Sequence, residues 1–472
     1  MKSGPVIAGS VFFYFSKYHE REFEMSDNQN INEKKKIVEP SILSGFMELL
    51  PKEQMILTRM TDTIKNTFES YGFIPLDTPV LEKSEVLLAK SGGETAKQVY
   101  RFNKGDSDIA MRFDLTVPLA RYVAQHYGEL TFPFRRYHIG KVYRGEKPQK
   151  GRFREFYQCD IDIIGNGSLG IVNDAEIVSV IFSTFNALNI GKFKIMINNR
   201  KLLNGYFEHL EIENTVETLR IVDKIDKIGR EAVKKELIKE VALSEDVAEK
   251  VLMFLDNTGS IDSIIEKLKS YSIPNEKFIS GLNELEEVCK NIKALGVSEE
   301  FFTVNLKIAR GLDYYTGTVY ETMLCDYPQL GSICSGGRYD ELASNYTKQS
   351  LPGVGISIGL SRLFYQLNEV NAINYSGKCT PTDILFIPMD DTVQFTLEKA
   401  TQFRKAGYSV EVYMNGGKMG KKLTYANKLG IPYVIIIGSD EMTSGILKMK
   451  DMNSGEQFDI SSPKDASEII KK

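Results

Sequence analysis

Cysteine and histidine are scarce in this 472-residue sequence, with five of the first and four of the second. Cys159, Cys289, Cys325, Cys334 and Cys379 lie far apart and never form a C-x-x-C pair, which points to a reducing compartment and away from a structural zinc site. His19, His126, His138 and His209 show no metal-ligand spacing, so the sequence gives no footing for metal-hydrolase or serine-hydrolase chemistry. Long hydrophobic runs are also missing. Residues 6–15 are too short to span a bilayer, are broken by Gly9 and Ser10, and lead into charged KYHEREFE instead of a small-residue cleavage site. The expectation is a cytoplasmic protein. Excess charge of either sign is absent too: net charge −4, with 42% hydrophobic and 26% charged residues, is an ordinary globular profile. Any nucleic-acid binding must then use positive charge gathered locally.

What is present centres on residues 134–165, FRRYHIGKVYRGEKPQKGRFREFYQCDIDIIG. Two runs rich in aromatic and β-branched residues flank a Gly, Lys, Pro and Gln loop, which predicts two antiparallel strands and a turn. Alternation along the second strand puts Arg152, Arg154, Gln158, Asp160 and Asp162 on one face and Phe153, Tyr157, Cys159, Ile161 and Ile163 on the other, core-facing one. Guanidiniums at one end of a face and carboxylates at the other suit a zwitterionic small molecule joined to a phosphate. A solvated face with surface ion pairs is the competing reading.

Residues 1–40 read as a disordered extension or as sequence upstream of a start at Met25. From Ser44, Pro51 followed by Met55, Ile56, Met60 and Ile64 predicts an amphipathic helix ending at Tyr71-Gly72. FIPLDTPVLE, extended around Pro75 and Pro79, belongs on a sheet edge or at a dimer contact. A Gly-containing loop with Glu94, two short strands and a helix beginning near Pro118 come next. Residues 200–300 are charged and amphipathic throughout, a helical insertion in a domain spanning 41–380. Near Pro381 strands and helices alternate, predicting a small α/β domain with a parallel sheet over 381–472, its basic strip formed by Lys418, Lys421, Lys422 and Lys428. Gly353, Gly355 and Gly359 do not make G-x-G-x-x-G, so no dinucleotide fold is implied.

These motifs carry a resemblance. The 134–165 stretch is similar to motif 2 of the histidyl-tRNA synthetases, ARGLDYYTGTVYE and SGGRYDEL resemble that family's two histidine-specific signatures, GVGISIGLSRLF resembles class II motif 3, and FIPLDTPVLE resembles the dimer-forming motif 1. The match runs in order from Ser44 to the C-terminus. HIGK at His138 and KMGKK at Lys418 echo marks of the unrelated class I synthetases, but His138 falls inside a strand where class I needs a strand-to-helix junction.

The resemblance implies an α+β class II catalytic core, an antiparallel sheet flanked by helices, with a helical insertion and a C-terminal anticodon-binding α/β domain. It implies ATP-dependent attachment of L-histidine to tRNA(His) through histidyl-adenylate, Mg²⁺ with the ATP, and a homodimer. Arg144 and Arg310 would be catalytic. Glu94, Thr95 and Gln158 would hold the α-ammonium, Asp162 and Tyr315 would read the imidazole, and Tyr314 and Tyr339 would wall the pocket. Arg152 would reach the distal phosphates, Arg362 the adenine or γ-phosphate, and Lys147, Gln149 and Lys150 the tRNA acceptor end. Two departures stand out. Asp162 replaces a more usual Glu, shortening the reach to the ring, and Ser361 replaces the Glu of a Glu-Arg pair; Ser361→Glu is expected to leave activation within a modest factor. The rival readings are a non-catalytic, synthetase-like regulatory subunit of histidine biosynthesis and an ATP- or RNA-binding scaffold without ligase activity.

Overall fold

The computed structural model describes residues 38–89, 93–147, 151–308, 314–373 and 380–470, and among them the strands form three sheets. Helix Pro51–Ser70 opens on a proline whose missing N–H is one the first turn leaves unpaired in any case. Glu53 Oε2 accepts from the Leu50 N–H at 3.0 Å and closes that end. Leu57, Met60, Ile64 and Phe68 form its buried stripe, with Met55 and Ile56 half-buried at the margin.

The strands that follow are β1 (Ile74–Pro75), β2 (Leu81–Lys83), β3 (Arg101–Lys104), β4 (Ser107–Met111), β5 (Phe134–Tyr143), β6 (Glu155–Ile164), β7 (Phe193–Asn199) and β8 (Phe302–Val304). Then come β9 (Thr318–Leu324), β10 (Ser332–Tyr339), β11 (Gly353–Ile358), β12 (Ile384–Pro388), β13 (Val410–Val412), β14 (Tyr433–Ile437), β15 (Leu447–Asp451) and β16 (Gln457–Ile460). The large sheet has eight strands in the order β1-β5-β6-β11-β10-β9-β7-β8. Its centre is antiparallel, and parallel pairs occur at the margins, β1 with β5 and β7 with β8. β1 is the edge strand, which suits Pro75 because the ring cannot donate to a ladder. β2, β4 and β3 make a separate three-stranded sheet.

One face of the large sheet is apolar. Cys159, Ile161, Ile163, Tyr320, Val354 and Ile358 join a single core with helices Pro51–Ser70 and Val172–Leu188. The helices from Arg200–His209 to Glu276–Ala294 send Leu203, Phe207, Val251 and Leu285 into the same core. Their burial explains why the charges there fall on the outer faces. The opposite face of β5 and β6 is polar yet buried: Arg136 is 0% exposed, Asp160 2% and Asp162 3%. A solvated face is thereby excluded.

Four local expectations need correction. β6 begins at Glu155, so Arg152 and Arg154 precede the strand and do not belong to its alternating face. Arg154 is tied to main-chain carbonyls instead, donating to Glu146 O at 3.2 Å and Ser44 O at 3.2 Å. The stretch containing Glu94 is not a loop but a short helix, Gly93–Gln98. The third correction concerns the sheet of residues 384–460, ordered β13-β12-β14-β15-β16, which is mixed. β13, β12 and β14 are parallel, as crossover helices demand, but β15 and β16 add antiparallel to it. Their hairpin is set by Asp451, whose Oδ1 accepts from Asn453 N at 2.7 Å and Ser454 N at 3.2 Å. In that same region Lys422 leaves the expected basic strip: it is buried and donates to Pro388 O at 3.2 Å, while Lys418, Lys421 and Lys428 stay exposed. No described helix is long and apolar enough to cross a membrane.

Candidate active site

Strand register builds the site. His138, Asp160, Ser357, Ser335 and Glu321 form one row across β5, β6, β11, β10 and β9, and Arg136, Asp162, Gly355 and Gly337 form the adjacent row. Over these rows lies a cavity of about 240 Å³ lined by Asp114, Thr116, Arg144, Gln158, Asp160, Asp162, Tyr314, Tyr315, Glu321 and Tyr339, among others. A second cavity of about 370 Å³ is lined by Glu146, Arg152, Phe153, Phe156 and Arg362. Arg144, Gln158, Glu321, Ser335 and Ser357 line both, so the two cavities adjoin.

Gly355 of the second row leaves the space that the Asp162 carboxylate fills, and Gly353, outside that row, leaves the space of the Tyr339 ring. A Cβ on Gly355 would lie 2.2 Å from Asp162 Oδ1, and one on Gly353 would lie 2.4 Å from the Tyr339 ring. Asp162 is thus seated between Arg136 Nη2 at 2.5 Å and the Tyr339 hydroxyl, which donates to it at 2.7 Å. Burial pushes the Asp162 carboxyl up to about 6, with Arg136 and the Tyr339 bond pulling against that rise. Burial pushes Asp160 up to about 7, opposed by Arg136 and by a bond from Ser357. Asp114 caps helix Thr116–Gln125, accepting from Thr116 N at 3.2 Å and Val117 N at 2.9 Å, and its carboxyl is raised by burial. Among the described residues three buried carboxyls, Asp114, Asp160 and Asp162, thus stand against the guanidiniums of Arg136 and Arg144, an excess of acid that favours a cationic guest.

Aromatic rings close the cavity. Tyr314 packs edge-on against Tyr315 and Tyr339, with centroids 5.0 and 5.9 Å apart. Burial and then the Asp162 and Asp160 charges hold the Tyr315 phenol neutral. At the junction of the cavities the Arg144 guanidinium lies over Phe113 at 4.3 Å and Phe156 at 5.1 Å, and its Nε donates to Phe113 O at 3.3 Å. Gln158 Nε2 donates to Ser357 Oγ at 2.6 Å.

Of the residues singled out from sequence, Arg144, Gln158, Asp162, Tyr314, Tyr315 and Tyr339 converge on the smaller cavity, and Arg144, Arg152 and Arg362 on the larger. Arg362 donates to Leu330 O at 3.1 Å, and Arg152 lies 3.6 Å from Glu146. Arg310, Gln149 and Lys150 lie outside the described residues, as do the side chains of Glu94 and Thr95; Lys147 is exposed. Sequence reasoning assigned no role to Arg136, Asp160, Asp114 or Glu321. Arg136 was accessible in principle, since a hairpin that places Tyr143 opposite Glu155 places Arg136 opposite Asp162.

Ser361 faces away from both cavities. Its Oγ accepts from Tyr157 N at 2.9 Å, and the side chain borders a third cavity of about 380 Å³ beside Glu48, Lys141 and Glu155. A glutamate there keeps an acceptor near the first turn of helix Leu360–Glu369, where negative charge is favoured. Ser361→Glu is accordingly expected to change the rate of amino-acid activation less than about fivefold, about 1 kcal/mol. Steady-state ATP–pyrophosphate exchange checks this; complete loss of activity would mean that Arg362 is oriented through this position.

A family model described as histidyl-tRNA synthetase matches residues 45–363, and one described as an anticodon binding domain matches residues 383–472. The chain is 55% identical over 438 residues to the histidine–tRNA ligase of Clostridium tetani, covering 93% of this chain and 99% of that one. It is 49% identical over 420 residues to the ligase of Clostridium acetobutylicum, covering 89% and 97%. The crystal structure of histidyl-tRNA synthetase from Nostoc sp. PCC 7120 superposes with a TM-score of 0.84 at 41% identity, over 92% of this chain and 99% of that one. An ATP phosphoribosyltransferase regulatory subunit/histidyl-tRNA synthetase from Bacillus halodurans shares the fold, at 21% identity and a TM-score of 0.70. With the match spanning nearly the whole chain and the polar cavity set on its central sheet, the chain belongs to the histidyl-tRNA synthetase family.

Proposed function

We infer that the smaller cavity takes L-histidine, that the larger takes ATP, and that the two are joined into histidyl-adenylate beside Arg144. One observation carries this: Arg144 and Gln158 line both cavities, as the residues between two reacting substrates must. The histidine carboxylate attacks the α-phosphorus, the bond to pyrophosphate breaks in line, and the terminal ribose of tRNA(His) then takes the histidyl group with release of AMP. No side-chain nucleophile is needed, so the protein's work is to position the partners and offset growing negative charge. Arg144 does so with a planar fork that can meet two oxygens, and Arg310 supplies a second fixed cation.

Asp162 and Tyr315 read the two imidazole nitrogens, and a ligand that leaves them unpaired is rejected. Tyr314 and Tyr339 form the walls. Glu94, Thr95 and Gln158 receive the α-ammonium. Arg362 lies along the adenine or the γ-phosphate, Arg152 near the distal phosphates. The larger cavity offers hard carboxylate oxygens from Glu146 and Glu321, donors of the type Mg²⁺ takes. Bound there with phosphate oxygens, Mg²⁺ would neutralise part of the triphosphate charge. Lys147, Gln149 and Lys150 meet the acceptor end, and residues 381–472 bind the anticodon, with Lys418, Lys421 and Lys428 on phosphates. The chain works in the cytoplasm as a homodimer formed around β1 and the start of β2, where Ile74 and Leu81 respectively are apolar and exposed. The regulatory-subunit reading is weaker, because the likeness to such a chain is only 21% against 55% for a ligase.

Histidine-dependent ATP–pyrophosphate exchange tests the reading. Label should exchange with histidine and with no other amino acid. If exchange is absent while tRNA binding persists, the scaffold reading replaces this one.

A further inference from the structure

Gln158 and Asp160, two residues apart on one face of β6, hold two acceptors that the described residues leave unsatisfied. Gln158 Nε2 donates to Ser357 Oγ at 2.6 Å, which frees the Ser357 proton for Asp160. Gln158 Oε1 and Asp160 Oδ1 are both buried without a hydrogen-bond partner, and both residues line the smaller cavity. Gln158 is 8% exposed and Asp160 2%. Orphaned buried acceptors of this kind are costly and ask for a donor from the guest.

Charge says which donor. Asp162 is already matched by Arg136 at 2.5 Å, so it can accept from a neutral ring N–H. Among the described residues no cation lies within ion-pair distance of Asp160, Arg136 and Arg144 acting on it from further off. Opposite it on β5 stands His138, which burial and then the nearby Arg136 and Arg112 hold neutral, with its pKa pushed down to about 3. Burial, only partly offset by Arg136 and the Ser357 bond, raises the Asp160 carboxyl to about 7. Histidine with a neutral ring offers one cation, its α-ammonium, whose three donors can serve two acceptors at once.

We propose that Asp160, acting with Oε1 of Gln158, is a carboxylate counter-ion of the α-ammonium of the bound amino acid. This rests on the histidine reading of the smaller cavity, in which Glu94, Thr95 and Gln158 receive the ammonium, and adds to it a second charged partner, carried on β6, that selects for a free amine. Asp162 then reads the ring and Asp160 the backbone end, from adjacent positions on one strand face.

Two histidine analogues separate the roles: L-histidinol keeps the amine and replaces the carboxylate with an alcohol, whereas 3-(imidazol-4-yl)propanoate lacks the amine. Their affinities for the intact chain and for its Asp160→Asn variant are measured by titration calorimetry. Histidinol is expected to lose about 10- to 100-fold in the variant, the worth of a charge-assisted bond, while the amine-free analogue changes less than about threefold. Equal losses for both analogues would assign Asp160 to the ring or to the fold, and no loss for either would remove it from the pocket; each overturns the proposal. Should the variant not fold, the unmodified chain still decides: L-histidine and 3-(imidazol-4-yl)propanoate differ only in the amine, and a difference in affinity of less than about tenfold between them contradicts an ammonium site. An unmodified chain that shows no histidine-dependent exchange and binds neither analogue brings down the underlying reading, a result distinct from normal exchange with an inert Asp160.

Discussion

Arg136→Ala is expected to lower the free energy of unfolding by about 3–5 kcal/mol and to cut kcat/KM for histidine activation by at least about 10²-fold. Arg136 is fully buried, lies 2.5 Å from Asp162, and reaches Leu115 O at 3.3 Å. It also lowers the pKa of both Asp160 and Asp162 against the burial that raises them. Without it the acidic cluster of Asp114, Asp160 and Asp162 either carries uncompensated charge or takes up protons, and protonated carboxyls no longer offer the guest a counter-charge. Denaturant unfolding and pyrophosphate exchange on the same preparation separate the two effects. Pairing Arg136→Met with Asp162→Leu should return much of the stability and none of the activity, because an apolar pair can replace a buried ion pair in packing but not in recognition. A single Arg136→Ala variant within about 1 kcal/mol of the parent would contradict the buried-pair account.

Arg144→Ala should lower kcat for adenylate formation by about 10²- to 10³-fold, about 2.7–4 kcal/mol, with a much smaller change in the histidine KM. Its guanidinium plane is fixed by Phe113 and Phe156 and by the Phe113 carbonyl, so its orientation is set before the substrates arrive. A preorganised cation acts mainly where charge develops, which is why the loss belongs in kcat. Arg144→Lys should recover little, since an ammonium neither stacks as a plane nor meets two oxygens together. Single-turnover measurement of adenylate formation checks the assignment. A raised KM with kcat intact would make Arg144 a ground-state binding residue.

Much of the fold was legible because the signals are local and periodic. Alternation from Tyr157 to Ile163 gave the core face of β6, and Pro51 with its apolar stripe gave the first long helix. The motif order led from there to the polar cavity. What was missed depends on neighbours distant in sequence. Arg136 and Asp160 acquire meaning from register and burial, Glu321 from a strand more than 150 positions further on, and Ser361 from the side of its helix that faces Tyr157. Lys422 looked like its exposed neighbours until the Pro388 carbonyl claimed its ammonium.

By itself the sequence determined which segments become strands and helices, which face of β6 is apolar, and which family's motifs the chain carries, since those properties are written in spacing. Only the tertiary structure decided that the charged face is sealed from water, that Arg136 sits inside it, and that two cavities meet at Arg144. The physical reason is that a charge's energy depends on what surrounds it in space, and strands far apart in the chain supply those surroundings.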